Sequence, residues 1–176
     1  DISSRALETL SSVDFIAAED TRVTMKLLNQ FDLKRPMTSC HRHNEEGKAP
    51  QIVDRMLAED LTVALTCDAG TPGISDPGHL LVRACWEAGI PVEPVCGPSA
   101  VVTALSASGF DAREFAFYGF LPREKKALNE KLDAAQINTR FGKSLAQVNK
   151  IDGDVVSLQI FAGGQGVSTG DEVRFL

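Results

Sequence analysis

The chain has 176 residues, 43% of them hydrophobic, which is enough for a packed core in one domain or one and a half. Its formal net charge of −6 excludes a broad polyanion-binding surface, although a local basic run such as "LPREKK" is compatible with an acidic whole. The apolar runs fall far short of the ~20 residues of a membrane span, and "DISSRALETL" lacks the plan of a signal peptide and reads as the interior of a domain.

Periodicity alternates along the first 110 residues. "SSRALETLSS" has helical spacing, "VDFIAA" is a short apolar run, "TRVTMKLLNQF" is helical again and "PMTSC" fits a short strand. "APQIVDRMLAED" predicts a helix, "LTVALT" a buried strand, "DPGHLLVRACWEAG" a helix, "IPVEPV" a strand and "PSAVVTALSASG" a helix. At "DPGHLLVRACWEAG", Ser75 or Asp76 is expected to cap the start, Pro77 to occupy the first turn, with His79 close behind, and Gly89 to lie just past the end. Apolar strands alternating with helices predict an α/β fold: an open, mostly parallel sheet with helices on both faces.

The cysteines Cys40, Cys67, Cys85 and Cys96 show no CxxC spacing and lie in or beside apolar runs. They are expected to be buried free thiols in a reducing cytosol. Cys40, His41 and His43 form a C-H-x-H run with no second ligand group, so no metal is expected.

Ligands of open α/β sheets bind beyond the carboxyl ends of the strands, and "CDAGTPGISDPG" leaves one such end. Gly70, Gly73 and Gly78 permit positive φ and close backbone approach, while Asp68, Ser75 and Asp76 offer acceptors for hydroxyl or ammonium groups. A second loop, "VCGPSAV", turns at Gly97 and opens a helix at Pro98, Ser99 and Ala100, whose N–H groups suit a carboxylate. Neither loop fits GxGxxG or GxxxxGK[ST], and two ordinary tight turns would read the same way. Glu19, Asp20, His41, His43 and Glu45 fall where the same sheet edge would present them. Asp20 reads equally as a proton acceptor and as the cap of the helix it precedes. Arg22, Arg42, Arg123, Lys125 and Lys126 read equally as RNA-phosphate contacts and as solvated surface charges.

Five ordered stretches, "VDFIAAEDTR", "HRHNE", "LTCDAGTPGISDPG", "VCGPSAVVTALSASG" and "FYGFLPR", resemble the tetrapyrrole-methylase-fold family, and within it the branch that methylates a cytidine 2′-oxygen of 16S ribosomal RNA. The resemblance covers residues 1 to about 126. It implies S-adenosylmethionine as methyl donor, the small ribosomal subunit as partner, and a homodimeric cytoplasmic enzyme that uses no membrane. It further implies that Asp68, Ala69, Gly70, Thr71 and Ser75 line the donor site, with Gly97, Pro98, Ser99 and Ala100 contributing from the second loop. Asp20, Glu19 and His41 are then the candidate catalytic groups, and Arg22, Arg42 and Arg123 the candidate RNA contacts.

The expected organisation is a donor-binding α/β domain over residues 1–112 lacking its first strand, a connection over 113–126 to a second domain, and a β-rich segment over 127–176. That last segment shifts in composition: "VVSLQIF" and "DEVRFL" alternate like short antiparallel strands, "KIDGD" offers an Asp-Gly turn, and "AGGQG" a hairpin loop. It resembles, more weakly, the N-terminal β-barrel of the non-catalytic nucleotide-site subunit of V/A-type rotary ATPases. A chimera joined near residue 126 is therefore expected, impaired in methyl transfer. The competing expectation is a non-enzymatic binding or assembly module.

Overall fold

The computed structural model describes residues 2–113 and 115–138 and the strands Ala146–Asp152, Val155–Ile160 and Glu172–Phe175; beyond residue 131 only the backbone is considered. It comprises two compact units, Asp1–Ser99 and Ala100–Leu176.

The first unit runs α1 (Ser4–Ser12), β1 (Phe15–Ala18), α2 (Thr21–Gln30), β2 (Met37–Ser39), α3 (Glu45–Glu59), β3 (Val63–Thr66) and α4 (His79–Glu87). The strands form one sheet in the order β2-β1-β3, and both pairings are parallel, Ile16 opposite Met37 and Ala64. The four residues of β1 are all buried, and successive side chains point to opposite faces. Phe15 and Ala17 join a core with Ala49, Ile52 and Val53 of α3 and Leu81 and Cys85 of α4. Ile16 and Ala18 join another with Leu10 of α1, Val13 and Leu28 of α2. Helices therefore cover both faces, the predicted open parallel α/β sheet. Ile16 is fully buried, and its truncation to Ala would cost about 2–5 kcal/mol. At the amino ends of the strands, the Asp14 carboxylate accepts the Thr62 N–H and hydroxyl at 2.7 and 2.9 Å, pinning β1 to β3.

Several local expectations need correction. The predicted strand over "IPVEPV" is absent: residues 90–99 form no ladder, because Pro91 and Pro94 have no N–H to donate to one. This segment is instead held from α1, with the Ser3 hydroxyl donating to Cys96 O at 3.1 Å and Arg5 Nη2 to Pro94 O at 2.8 Å. Helix α3 begins at Glu45, four residues ahead of Ala49, and carries Pro50 in its second turn. Helix α4 begins at His79 with Gly78 at its cap position and no side-chain cap from Ser75 or Asp76. Gly89 does adopt positive φ (72°) just past the end of α4. Cys40 and Cys85 are buried and Cys67 is half-buried, but Cys96 is exposed.

In the second unit, α5 (Ala100–Ala107) and α6 (Lys125–Asn138) precede β4 (Ala146–Asp152), β5 (Val155–Ile160) and β6 (Glu172–Phe175). The three strands form an antiparallel sheet in sequence order, with a register shift between Val148 and Lys150. This matches the alternation read in "VVSLQIF" and "DEVRFL". The Asp-Gly turn after Asp152 and the "AGGQG" loop lie outside the described residues.

Candidate active site

Because the three strands of the first unit run parallel, their carboxyl ends share one edge of the sheet. From this edge emerge Glu19 and Asp20 after β1, Cys40 and His41 after β2, and the long β3–α4 loop beginning at Cys67. The sheet edge thus brings together what sequence spacing separates by dozens of residues.

The loop itself is tightly wound. Gly70 and Gly73 both have φ of 79°, and Gly78 has φ of 131°. A Cβ on Gly70 would come within 4.0 Å of only one other group, Asp76 Oδ2, so its face is open to an approaching molecule. Ser75 also has positive φ (63°), an uncommon conformation for a residue with a side chain. Two internal hydrogen bonds, Ile74 N to Thr71 O and Gly73 N to Pro77 O, both 3.1 Å, close the turn. Asp68, Ala69, Gly70 and Thr71 are exposed, and Ser75 and Asp76 half-buried. Cys67 donates its thiol to Ala69 O at 3.1 Å; burial, then the Asp76 and Glu19 carboxylates, push this thiol up to about 11. It is a packing group rather than a nucleophile.

Three side chains outside the loop hold it. The Glu19 carboxylate accepts the Asp68 N–H at 3.1 Å, tying β1's end to the loop's first residues. Arg42 Nη2 donates to Ser75 O at 3.1 Å, at the strained position. Glu45 is 2% exposed, and its Oε1 accepts the N–H groups of Gly78, Leu80 and Leu81 at 2.7, 2.8 and 3.3 Å. These are backbone donors that a helix start leaves without intrahelical partners, and the positive end of the α4 dipole favours a carboxylate there. The Glu45 role was visible in sequence only as a polar residue in "CHRHNE", since nothing local links it to residues 78–81.

Asp20 is the cap of α2. Its Oδ1 accepts the Arg22 N–H at 2.8 Å and its Oδ2 pairs with Arg22 Nη2 at 2.6 Å. Hydrogen bonds from the Arg22 guanidinium, then its N–H, hold the Asp20 carboxyl at about 2. Of the two open readings of this residue the cap is the one seen, and a carboxyl so easily ionised is a weak proton acceptor. His41 is half-buried with its N–H donated to Asn44 Oδ1 at 2.7 Å, and its buried Nδ1 has no hydrogen-bond partner. Its ring meets the edge of His43, centroids 6.1 Å apart. Among the described residues no group of three or more His, Cys, Asp or Glu could hold a metal ion, and no helix is long and apolar enough to cross a membrane.

In the second loop, Gly97 and Pro98 are exposed and Ser99 half-buried, and Ala100 is the first residue of α5 in the second unit. Gly97 has no positive φ, and a Cβ there would meet nothing within 4 Å, so no close approach requires glycine. Arg22 and Arg42 are exposed in the first unit; Arg123 is exposed in the second, beside Glu124, whose carboxylate accepts the Lys126 and Ala127 N–H groups at the start of α6. The largest hollow, about 510 Å³, lies away from the loop, between Thr21, Arg22, Met25 and Arg35, Pro36, Met37.

Residues 1–153 match the family model Tetrapyrrole (Corrin/Porphyrin) Methylases, a match that continues past the change of composition near residue 126. Proteins described as ribosomal RNA small subunit methyltransferase I are similar as well. The one from Vibrio cholerae is 53% identical over 132 residues, covering 75% of this chain and 46% of the relative. That of Escherichia coli O157:H7 is 48% identical over 140 residues, 80% and 49%. That of Synechocystis is 40% identical over 163 residues, 93% and 58%. The chain spans about half the length of the curated relatives it matches.

Proposed function

The chain belongs to the tetrapyrrole methylase family, and from that premise we propose that it is the donor-binding part of an S-adenosylmethionine-dependent methyltransferase acting on the ribosomal RNA of the small subunit, at a cytidine 2′-oxygen. The observation that carries this reading is the β3–α4 loop: two open, positive-φ glycines and two aspartates at the carboxyl edge of a parallel sheet.

The residues present fit such a donor. Among the described residues no hydrogen bond engages the carboxylates of Asp68 and Asp76, and these acceptors suit the ribose hydroxyls and the cationic groups of the molecule. Gly70, Ala69 and Thr71 offer backbone at close range, Ser75 a hydroxyl, and Gly97, Pro98, Ser99 and Ala100 are proposed to complete the site. When bound, S-adenosylmethionine supplies a methyl group on a sulfonium, a good electrophile with a neutral leaving group.

The protein's task is then to align the acceptor hydroxyl in line with that carbon and to receive its proton. Of Asp20, Glu19 and His41, Glu19 ranks first as acceptor: it stands at the end of β1 and touches the donor loop through Asp68 N–H. Asp20 is committed to Arg22 and α2, and the Nδ1 of His41 is enclosed. Arg22, Arg42 and Arg123 are proposed to meet RNA phosphates, cytoplasmic ribosomal subunits being the substrate and a homodimer the working form.

Calorimetric titration of the 176-residue chain with S-adenosylmethionine tests the reading. Saturable binding is expected, and its loss in Gly70→Val, where a β-branched side chain would stand at positive φ. Absence of binding by the unaltered chain, or equal binding by a folded Gly70→Val, would overturn it.

A further inference from the structure

We propose that Glu45 is a positioning residue for the methyl donor: by gathering the first N–H groups of α4 on one buried carboxylate oxygen, it sets the path of the β3–α4 loop from Ser75 to Gly78. The proposal rests on the reading of that loop as the donor site.

The loop leaves β3 at Thr66 and re-enters regular structure at His79. Its near end is tied to β1 through Glu19 and Asp68 N–H. Its far end is determined by contacts from the β2–α3 segment, "CHRHNEE", through Arg42 on Ser75 O and Glu45 on Gly78, Leu80 and Leu81 N–H. Gly78 leaves little slack between them, since a Cβ there would stand 2.7 Å from Leu65 Cδ2 of β3.

A plain helix cap would not require this arrangement. Ser75 and Asp76, two and three residues before the cap position, are both capable of local capping and do not cap. The donors are instead met by an acid 33 residues upstream of Gly78, which must be stripped of water to reach them. What the longer route adds is a fixed relation between α3 and the loop, and it leaves Ser75 and Asp76 in the loop for other partners. It also decides which end of a ligand the loop accepts. A helix start filled by a carboxylate does not receive a second anion. With Asp68 and Asp76 beside it, the loop takes the hydroxyl-bearing or cationic portion of the donor, and the donor's own carboxylate lies elsewhere.

The test compares the unaltered chain with Glu45→Ala, Glu45→Gln and Arg42→Ala. Each is titrated calorimetrically with S-adenosylmethionine, with urea unfolding and amide hydrogen exchange over residues 70–81 measured on the same preparations. Glu45→Ala should weaken binding by about tenfold or more in protein that circular dichroism shows to be folded, because misplacement of a positioned group is felt at the ligand. Faster exchange at residues 73–81 should accompany it. Glu45→Gln keeps an oxygen acceptor and should recover part of the affinity, and Arg42→Ala should weaken binding by roughly threefold, a single exposed hydrogen bond being lost. Folded Glu45→Ala that binds like the unaltered chain would overturn the proposal, leaving Glu45 a purely structural group. Should Glu45→Ala not fold, unchanged binding by both Glu45→Gln and Arg42→Ala would overturn it as well. Failure of the unaltered chain to bind would remove the donor reading and this proposal together, which separates the two outcomes.

Discussion

Gly78→Ala isolates the geometry on which the loop depends. In the native backbone Gly78 has φ of 131°, a region that residues with a Cβ rarely enter, and holding alanine there costs about 1–3 kcal/mol. The new Cβ would stand 2.7 Å from Leu65 Cδ2 and 3.3 Å from the Gly73 nitrogen, against an ordinary carbon–carbon contact of about 3.5–4.0 Å. Leu65 packs against the core of Phe15, Ile52 and Leu81, so it yields only by leaving its rotamer or pushing its neighbours, worth about 1–3 kcal/mol. The two effects overlap, and a loss of about 2–5 kcal/mol is expected, a large part of the about 5–15 kcal/mol of a typical domain. Urea unfolding read by far-ultraviolet circular dichroism and by the fluorescence of Trp86, the chain's single tryptophan and a residue of α4, measures it. Gly97→Ala is the control: with ordinary φ and nothing within 4 Å, it should change stability by no more than about 0.5 kcal/mol. A Gly78→Ala loss below about 1 kcal/mol, or equal losses in the two variants, would refute the steric argument.

Three further outcomes are expected. Asp20 is held at about 2 against an ordinary 3.8, so its contribution to stability is present above about pH 4 and is lost as pH falls toward the folded value; Asp20→Asn should flatten the acid limb of a Tm-against-pH curve, and an unchanged limb would contradict the cap. Ser75→Gly should raise stability by up to about 1 kcal/mol in urea melts by relieving the positive φ, while weakening S-adenosylmethionine binding through loss of the hydroxyl. Thiol labelling with dithionitrobenzoate at about pH 7.5 should modify the exposed Cys96 first, with buried Cys40 and Cys85 and the raised Cys67 lagging; Cys67 reacting as fast as Cys96 would show its surroundings to be misread.

What the sequence disclosed was whatever short-range chemistry decides. β1 was legible in "VDFIAA" because both of its faces are covered, which makes the run apolar throughout. The glycines of the β3–α4 loop were legible because positive φ is a local demand. Long-range decisions were hidden. Ser75 and Asp76 satisfy every local rule for capping α4, yet Glu45 reaches those N–H groups first through the tertiary fold. "IPVEPV" has strand composition, but Pro91 and Pro94 remove the donors that a ladder would use, and α1 takes its carbonyls instead. Gly97 shows the opposite error, a glycine whose special freedom the backbone does not use.

The carboxylates at the sheet edge divide by task, and the division bears on how an acidic chain could serve an RNA substrate. Glu19 and Asp20 are engaged by Asp68 N–H and by Arg22, and Glu45 by the start of α4. Each of these charges is matched by an N–H donor or a guanidinium, so the edge is less negative toward an approaching phosphate backbone than its composition implies. Arg22 and Arg42 remain exposed while making these internal contacts, so each can serve the fold with one face and a phosphate with another. The charge left for recognition is then the pair Asp68 and Asp76, which sits where the proposed donor is cationic rather than where an RNA strand would lie. On this arrangement, adding salt should weaken RNA binding far more than donor binding, because only the former depends on counterion release.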